Sequence, residues 1–190
     1  REKLAALSLD AALITNPSNV FYLSGFTGYG DGKLLITQAD AYIITDFRYE
    51  IQAAEQCPDY AVEIMNSQRD RALAELFLKT EIQSVGIEEG DLSYRQYLQY
   101  AEALDFCRLV PLKDTVDLLR IVKDASEISV IAEACKIASS ALQETLSYVR
   151  PGVRELDVAC ELEYRMRKKG ASGPSFDTIV ASGVRSAMPH

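Results

Sequence analysis

The chain has 190 residues, 48% of them apolar, and 20 Lys and Arg against 28 Asp and Glu give a net charge of −8. That length suits one domain with a sizeable core, or one domain and part of a second. The charge balance repels phosphate backbones and counts against nucleic acid as a partner, and no apolar run approaches the ~18–20 residues of a membrane span. Residues 1–10, REKLAALSLD, carry no apolar stretch leading to a small-residue cleavage site, so a cytoplasmic location is expected.

From residue 11 to about residue 112, short apolar runs alternate with helical patterns. AALI (11–14), KLLIT (33–37), AYIIT (41–45), YAVEIM (60–65), SVGIE (84–88) and CRLVPL (107–112) read as strands. NPSNVFYLSG, FRYEIQAAEQ, RDRALAELFLK and LSYRQYLQYAEAL read as helices; in the third, Leu73, Leu76 and Phe77 recur at i, i+3, i+4 and make one apolar face. KLLIT and AYIIT, separated by QAD, predict a hairpin and hence a mixed sheet in an α/β domain.

After Pro111 the pattern changes. Ile128, Ile131, Cys135, Ala138, Leu142, Leu146 and Val149 follow steps of three and four, which predicts a long amphipathic helix capped by Asp124 and Glu127 and stopped by Pro151-Gly152. A second helix is predicted over about 154–169, with Gly170 as its stop, and FDTIVAS (176–182) reads as a strand. One strand cannot pair its own backbone groups, so this second domain is expected to be incomplete within the chain.

Several motifs have plain structural readings. The glycine cluster GFTGYGDGK (25–33) invites a phosphate loop, but Gly28 and Gly32 enclose three residues instead of four and Leu34 follows Lys33 where Ser or Thr is needed. A mobile connection, or a functional flap or interface loop, remains open for it. Asp46 and Arg48 sit at a strand-to-helix junction, where Asp46 is expected to cap the helix with Tyr49 and Ile51 packed beneath it. Cys57, Cys107, Cys135 and Cys160 are widely spaced and expected to be reduced, mostly buried thiols. EEGD (88–91) and the carboxylates Glu155, Asp157, Glu161 and Glu163 have the chemistry to hold a hard cation, but the second set lies on a helix facing several directions and is expected on solvated surface. His190, the one histidine, stands last, and no triad, elbow or zinc-protease motif accompanies it.

ITNPSNVFYLSGFTG (14–28) followed by YIITDFRYEIQA (42–53) resembles the amino-terminal domain of the creatinase/prolidase/aminopeptidase P family, of the M24B type. LLRIVKDASEISVIAEACKIA (118–138), RPGVRELDVACELE (150–163) and FDTIVASGVRSAMPH (176–190) resemble the opening of its catalytic domain. The resemblance implies a creatinase-type amino-terminal domain with a mixed sheet flanked by helices over residues 1–117, a linker at 118–124, and the incomplete start of a pita-bread (α+β) domain at 125–190.

The activity it implies is that of an Xaa-Pro metallopeptidase, of aminopeptidase P or proline dipeptidase type, with two divalent ions (Mn, Co or Zn) held by two Asp, one His and two Glu beyond the matched segment. Residues 1–190 alone are then expected to be inactive and to bind no metal. His190 matches the family's first active-site histidine, which meets substrate and moves protons without ligating metal; an imidazole suits that task near neutral pH. Arg185 stands where many members carry Asn and is assigned no role. The resemblance further implies peptide substrates with proline second and a homodimer built by the amino-terminal domain, with Tyr29, Asp31 and Lys33 on a loop facing a partner subunit or substrate. A metal-free creatinase-like hydrolase and a non-catalytic peptide-binding module are the alternatives on the same fold.

Overall fold

The computed structural model describes residues 1–65 and 69–189 and divides into two compact units, Arg1–Val122 and Lys123–His190. The first unit is built on six strands: β1 Ala11–Ile14, β2 Lys33–Thr37, β3 Ala41–Thr45, β4 Ala61–Ile64, β5 Ser84–Ile87 and β6 Arg108–Pro111. Their order is β4-β3-β2-β1-β5-β6; β1/β2 and β2/β3 are antiparallel and the other pairs parallel, so the sheet is mixed. Among the described residues six α-helices accompany it, with a 3₁₀ turn at Phe47–Tyr49: α1 Glu2–Ala6, α2 Pro17–Ser24, α3 Glu50–Gln56, α4 Arg69–Lys79, α5 Tyr94–Ala103 and α6 Thr115–Ile121.

Alternation along the strands sorts side chains onto two cores. Ala11, Leu13, Leu35, Tyr42 and Ile44 join Leu73, Leu76 and Phe77 of α4 and Tyr100 of α5 on one side. Ala12, Ile14, Leu34 and Ile43 join Val20 of α2, Ala53 of α3 and Val116 of α6 on the other. Because both faces of the sheet are covered, the central strands read as continuous apolar runs with no polar alternation.

The helix ends follow from local chemistry. Asn16 Oδ1 accepts the backbone N–H groups of Ser18 and Asn19 at the start of α2, Pro17 takes the first position, and Gly25 ends the helix at φ +76°. Ser93 and Gln96 form a capping box on α5. Residues 118–121 belong to α6, where the sequence suggested a linker: Val116 is buried in the second core, and the Tyr22 hydroxyl donates to the Leu119 carbonyl at 3.3 Å.

The second unit contains α7 Ala125–Leu146, α8 Glu155–Lys168 and a 3₁₀ turn, Gly183–Ala187. Asp124 and Glu127 form the expected capping box, while Gly152 and Gly170, at φ +94° and +102°, turn the chain after each helix. The two helices pack together, burying Ala141 of α7 and Ala159 of α8, and Glu144 bridges Arg165 at 2.9 Å and Lys169 at 2.7 Å. Residues 176–182 form no strand, a correction with a simple cause: a strand needs a partner ladder, and none is present among the described residues of this unit. Thr178 and Ser182 instead donate to Glu163 and Glu155 of α8. Much of the apolar stripe of α7, including Ile128, Ile131, Leu142 and Leu146, is exposed.

Candidate functional site

Between α2 and β2 the glycine-rich loop wraps a single aromatic ring. Phe26 is buried, and a Cβ placed on either Gly28 or Gly32 would lie 2.5 Å from its ring atoms. Only glycine lets the backbone pass this close at both positions. Gly30, between them, adopts φ +77° with open space around it. The glycine pattern therefore answers to a packed ring and a turn, and the loop leads into a strand, opposite to the order a phosphate loop requires.

Asp31 is tied to the end of β3 and the turn after it. Its carbonyl accepts from Thr45 Oγ1 at 2.7 Å, Oδ1 accepts from Arg48 Nη2 at 3.0 Å, and Oδ2 accepts from the Tyr49 hydroxyl at 2.9 Å. Arg48 also grips Asp46 with two arms, Nε to Oδ1 at 2.9 Å and Nη2 to Oδ2 at 2.7 Å, while Asp46 Oδ1 caps the Phe47–Tyr49 turn through the Arg48 N–H. The Asp46 bond raises the Arg48 pKa further, and donation to Asp31 raises that of Tyr49. The Tyr49 ring meets Phe26 edge to face at 5.9 Å and 77°.

Lys33 Nζ donates to the Tyr100 hydroxyl at 2.6 Å and lies 5.2 Å from the ring centroid. A cavity of about 50 Å³ lies beneath, lined by Gly30, Asp31, Lys33, Thr45, Asp46 and Tyr100 among others, space for solvent but not for a peptide. Tyr29, by contrast, is 82% exposed at the loop tip. Of the three residues singled out on this loop, two are held internally and Tyr29 faces outward.

His190 lies outside the described residues. Among the described residues no group of three or more His, Cys, Asp or Glu could hold a metal ion, so the side chains described do not fit a dinuclear centre. Glu88 is not a surface carboxylate: it is buried, with Oε2 accepting from the backbone N–H of Thr15 and Asn16 and Oε1 from Asn19 Nδ2. Glu155, Asp157 and Glu161 are each paired with arginine, Arg185, Arg154 and Arg165 respectively. Asp46 caps as expected, but Ile51 is 76% exposed because the turn directs it away from the core that Tyr49 joins. Only Cys57 and Cys107 are buried; Cys135 and Cys160 lie exposed on α7 and α8, where the helices pack through smaller residues.

The sequence sets Asp46 and Arg48 close together but carries no sign of the reach to Asp31, 17 residues from Arg48. No helical or strand periodicity links the two, so only the hairpin register brings them together.

Residues 1–122 match the family described as Creatinase/Prolidase N-terminal domain, and residues 129–190 match Metallopeptidase family M24. The uncharacterized peptidase YqhT of Bacillus subtilis is 38% identical over 190 residues, covering 100% of this chain and 54% of its own length. The Xaa-Pro dipeptidase of Pyrococcus furiosus is 34% identical over 184 residues, covering 96% of this chain and 51% of its own. The solved Xaa-Pro dipeptidase from Bacillus anthracis has a TM-score of 0.94 at 40% identity, covering 100% of this chain and 53% of that one. The chain spans about half the length of the curated relatives it matches.

Proposed function

The chain belongs to the creatinase/prolidase family, and from that membership we propose that it is part of an Xaa-Pro metallopeptidase, of aminopeptidase P or proline dipeptidase type. The substrates are peptides with proline second, and the bond cleaved joins the N-terminal residue to that proline. The observation that carries this reading is the succession of the two family matches, amino-terminal domain and then metallopeptidase, along one chain.

Within it, His190 is the residue that meets substrate and gives or takes a proton. The two divalent ions, Mn, Co or Zn, are held by residues other than those described here. Tyr29, Asp31 and Lys33 mark a loop that faces a partner subunit or substrate in a cytoplasmic homodimer, with Tyr29 as the contact and the other two as its internal ties.

Assaying the whole protein on paired dipeptides, Ala-Pro against Ala-Ala, with Mn²⁺ supplied or removed by chelation, tests this reading. Metal-dependent cleavage of Ala-Pro alone, lost in His190→Ala, is the expected result. Cleavage that survives chelation would favour a metal-free hydrolase, and Ala-Pro binding without cleavage would favour a peptide-binding module.

A further inference from the structure

We propose that Arg48 is the positioning residue of the Gly28–Lys33 loop, fixing the outward presentation of Tyr29 through Asp31; this rests on the reading that the loop meets a partner subunit or substrate. The Arg48 side chain bonds to Asp46 and Asp31 and reaches Tyr29 only through the loop. Its guanidinium is half exposed, with 51% of the side chain accessible, and it joins two carboxylates of different standing. Asp46, 9% accessible, is fixed at the end of β3 as the cap of the following turn. Asp31, 33% accessible, belongs to the loop.

A planar, always-charged fork can hold both at once, whereas a lysine ammonium offers a point charge and no second rigid arm. Tyr49 completes the grip: its hydroxyl takes the other oxygen of Asp31, and its ring braces Phe26, around which Gly28 and Gly32 fold. Three hydrogen-bond donors, Thr45 Oγ1 at the end of β3 and Arg48 and Tyr49 in the turn that follows it, thus converge on one loop residue. Gly30 has a positive φ and no neighbour near its Cβ position, so the tip carrying Tyr29 is restrained by that grip and by two turn bonds, from the Tyr29 N–H to Thr27 and from the Asp31 N–H to Gly28.

The test combines amide exchange on the 190-residue chain with kinetics of the whole protein. Arg48→Met and Asp31→Asn are each expected to speed exchange at residues 28–33 about tenfold, leaving the strands of the first unit unchanged. Arg48→Lys is expected to restore little of this protection. The double variant is expected to fall well short of the sum of the singles, because both cut the Arg48–Asp31 link. Unchanged loop exchange in Arg48→Met, or additive effects in the double variant, would overturn the proposal. In the whole protein, Arg48→Met is expected to raise KM or weaken the dimer as Tyr29→Ala does, with kcat kept. Accelerated loop exchange with KM and dimer mass unchanged would support Arg48 as the positioning residue and remove the reading of the loop as a contact surface.

Discussion

Asn19 donates from Nδ2 to Glu88 Oε1 at 2.7 Å, and the same side chain accepts Arg120 Nη1 on its oxygen at 2.9 Å. Both Asn19 and Glu88 are buried, so one amide couples the end of β5 to α6 through the first turn of α2. Each polar atom of this relay is satisfied, and for that reason removal of one member leaves several others stranded.

Glu88→Ala strips the acceptor from the N–H groups of Thr15 and Asn16 and from Asn19 Nδ2. A loss of about 3 kcal/mol in unfolding free energy is expected, since buried donors without partners carry most of their desolvation cost. Urea unfolding checks it, and a midpoint equal to that of the parent chain would refute the structural role of the carboxylate.

The loop glycines make separable predictions. Gly32→Ala drives a Cβ into the buried Phe26 ring and is expected to cost about 2–3 kcal/mol, whereas Gly30→Ala meets open space and bears only its left-handed backbone, about 1 kcal/mol. Denaturant titration of the two variants should rank them in that order; the reverse order would contradict the packing of the loop around the ring.

Asp10 gives a pH dependence with a definite sign. Its Oδ2 accepts from Ser84 Oγ at 2.8 Å and from the N–H groups of Ser84 and Gln83, and the hydroxyl bond is the largest cause of a lowered pKa. A carboxylate with a depressed folded pKa stabilises above its unfolded value, about 4, and the benefit fades as pH falls through the folded one. The stability gap between parent and Asp10→Asn is therefore expected to be constant between pH 7 and about 5 and to shrink below about 4. A gap that widens on acidification would sink this assignment.

Thiol labelling distinguishes the two units of the chain. Cys135 and Cys160 are exposed, while burial pushes the Cys107 thiol up to about 11 and also raises Cys57. Mass spectrometry of the folded 190-residue chain after brief maleimide treatment should find adducts at Cys135 and Cys160, with Cys57 and Cys107 labelled only in denaturant. Early labelling of Cys107 would mean that the first core is looser than described.

Much of this fold was legible because its signals are local. AALI, KLLIT and AYIIT became β1, β2 and β3 with the same bounds, and the capping box at Asp124 and Glu127 formed as spaced. The failures are non-local. FDTIVAS has strand composition but no ladder to join, and Glu88 reads as one of a cluster of acids able to hold a cation until β5 is laid beside β1 and the Glu88 carboxylate meets the Thr15 and Asn16 amides. The loop was recognised as a candidate site from its glycines and its place in the family resemblance, but which of Tyr29, Asp31 and Lys33 faces outward depends on contacts with Arg48 and Tyr100, both distant in sequence.

The strand order bears on how the chain is made. Residues 11–45 hold three strands that pair in sequence, and that meander can close as soon as it is synthesised. The other edge of β1, however, has no neighbour until Val85, Gly86 and Ile87 arrive, more than seventy residues after Ala11. Until then a fully apolar strand has an open edge, and a ribosome or chaperone holding the emerging chain would meet Ala11–Ile14 there as an adhesive surface.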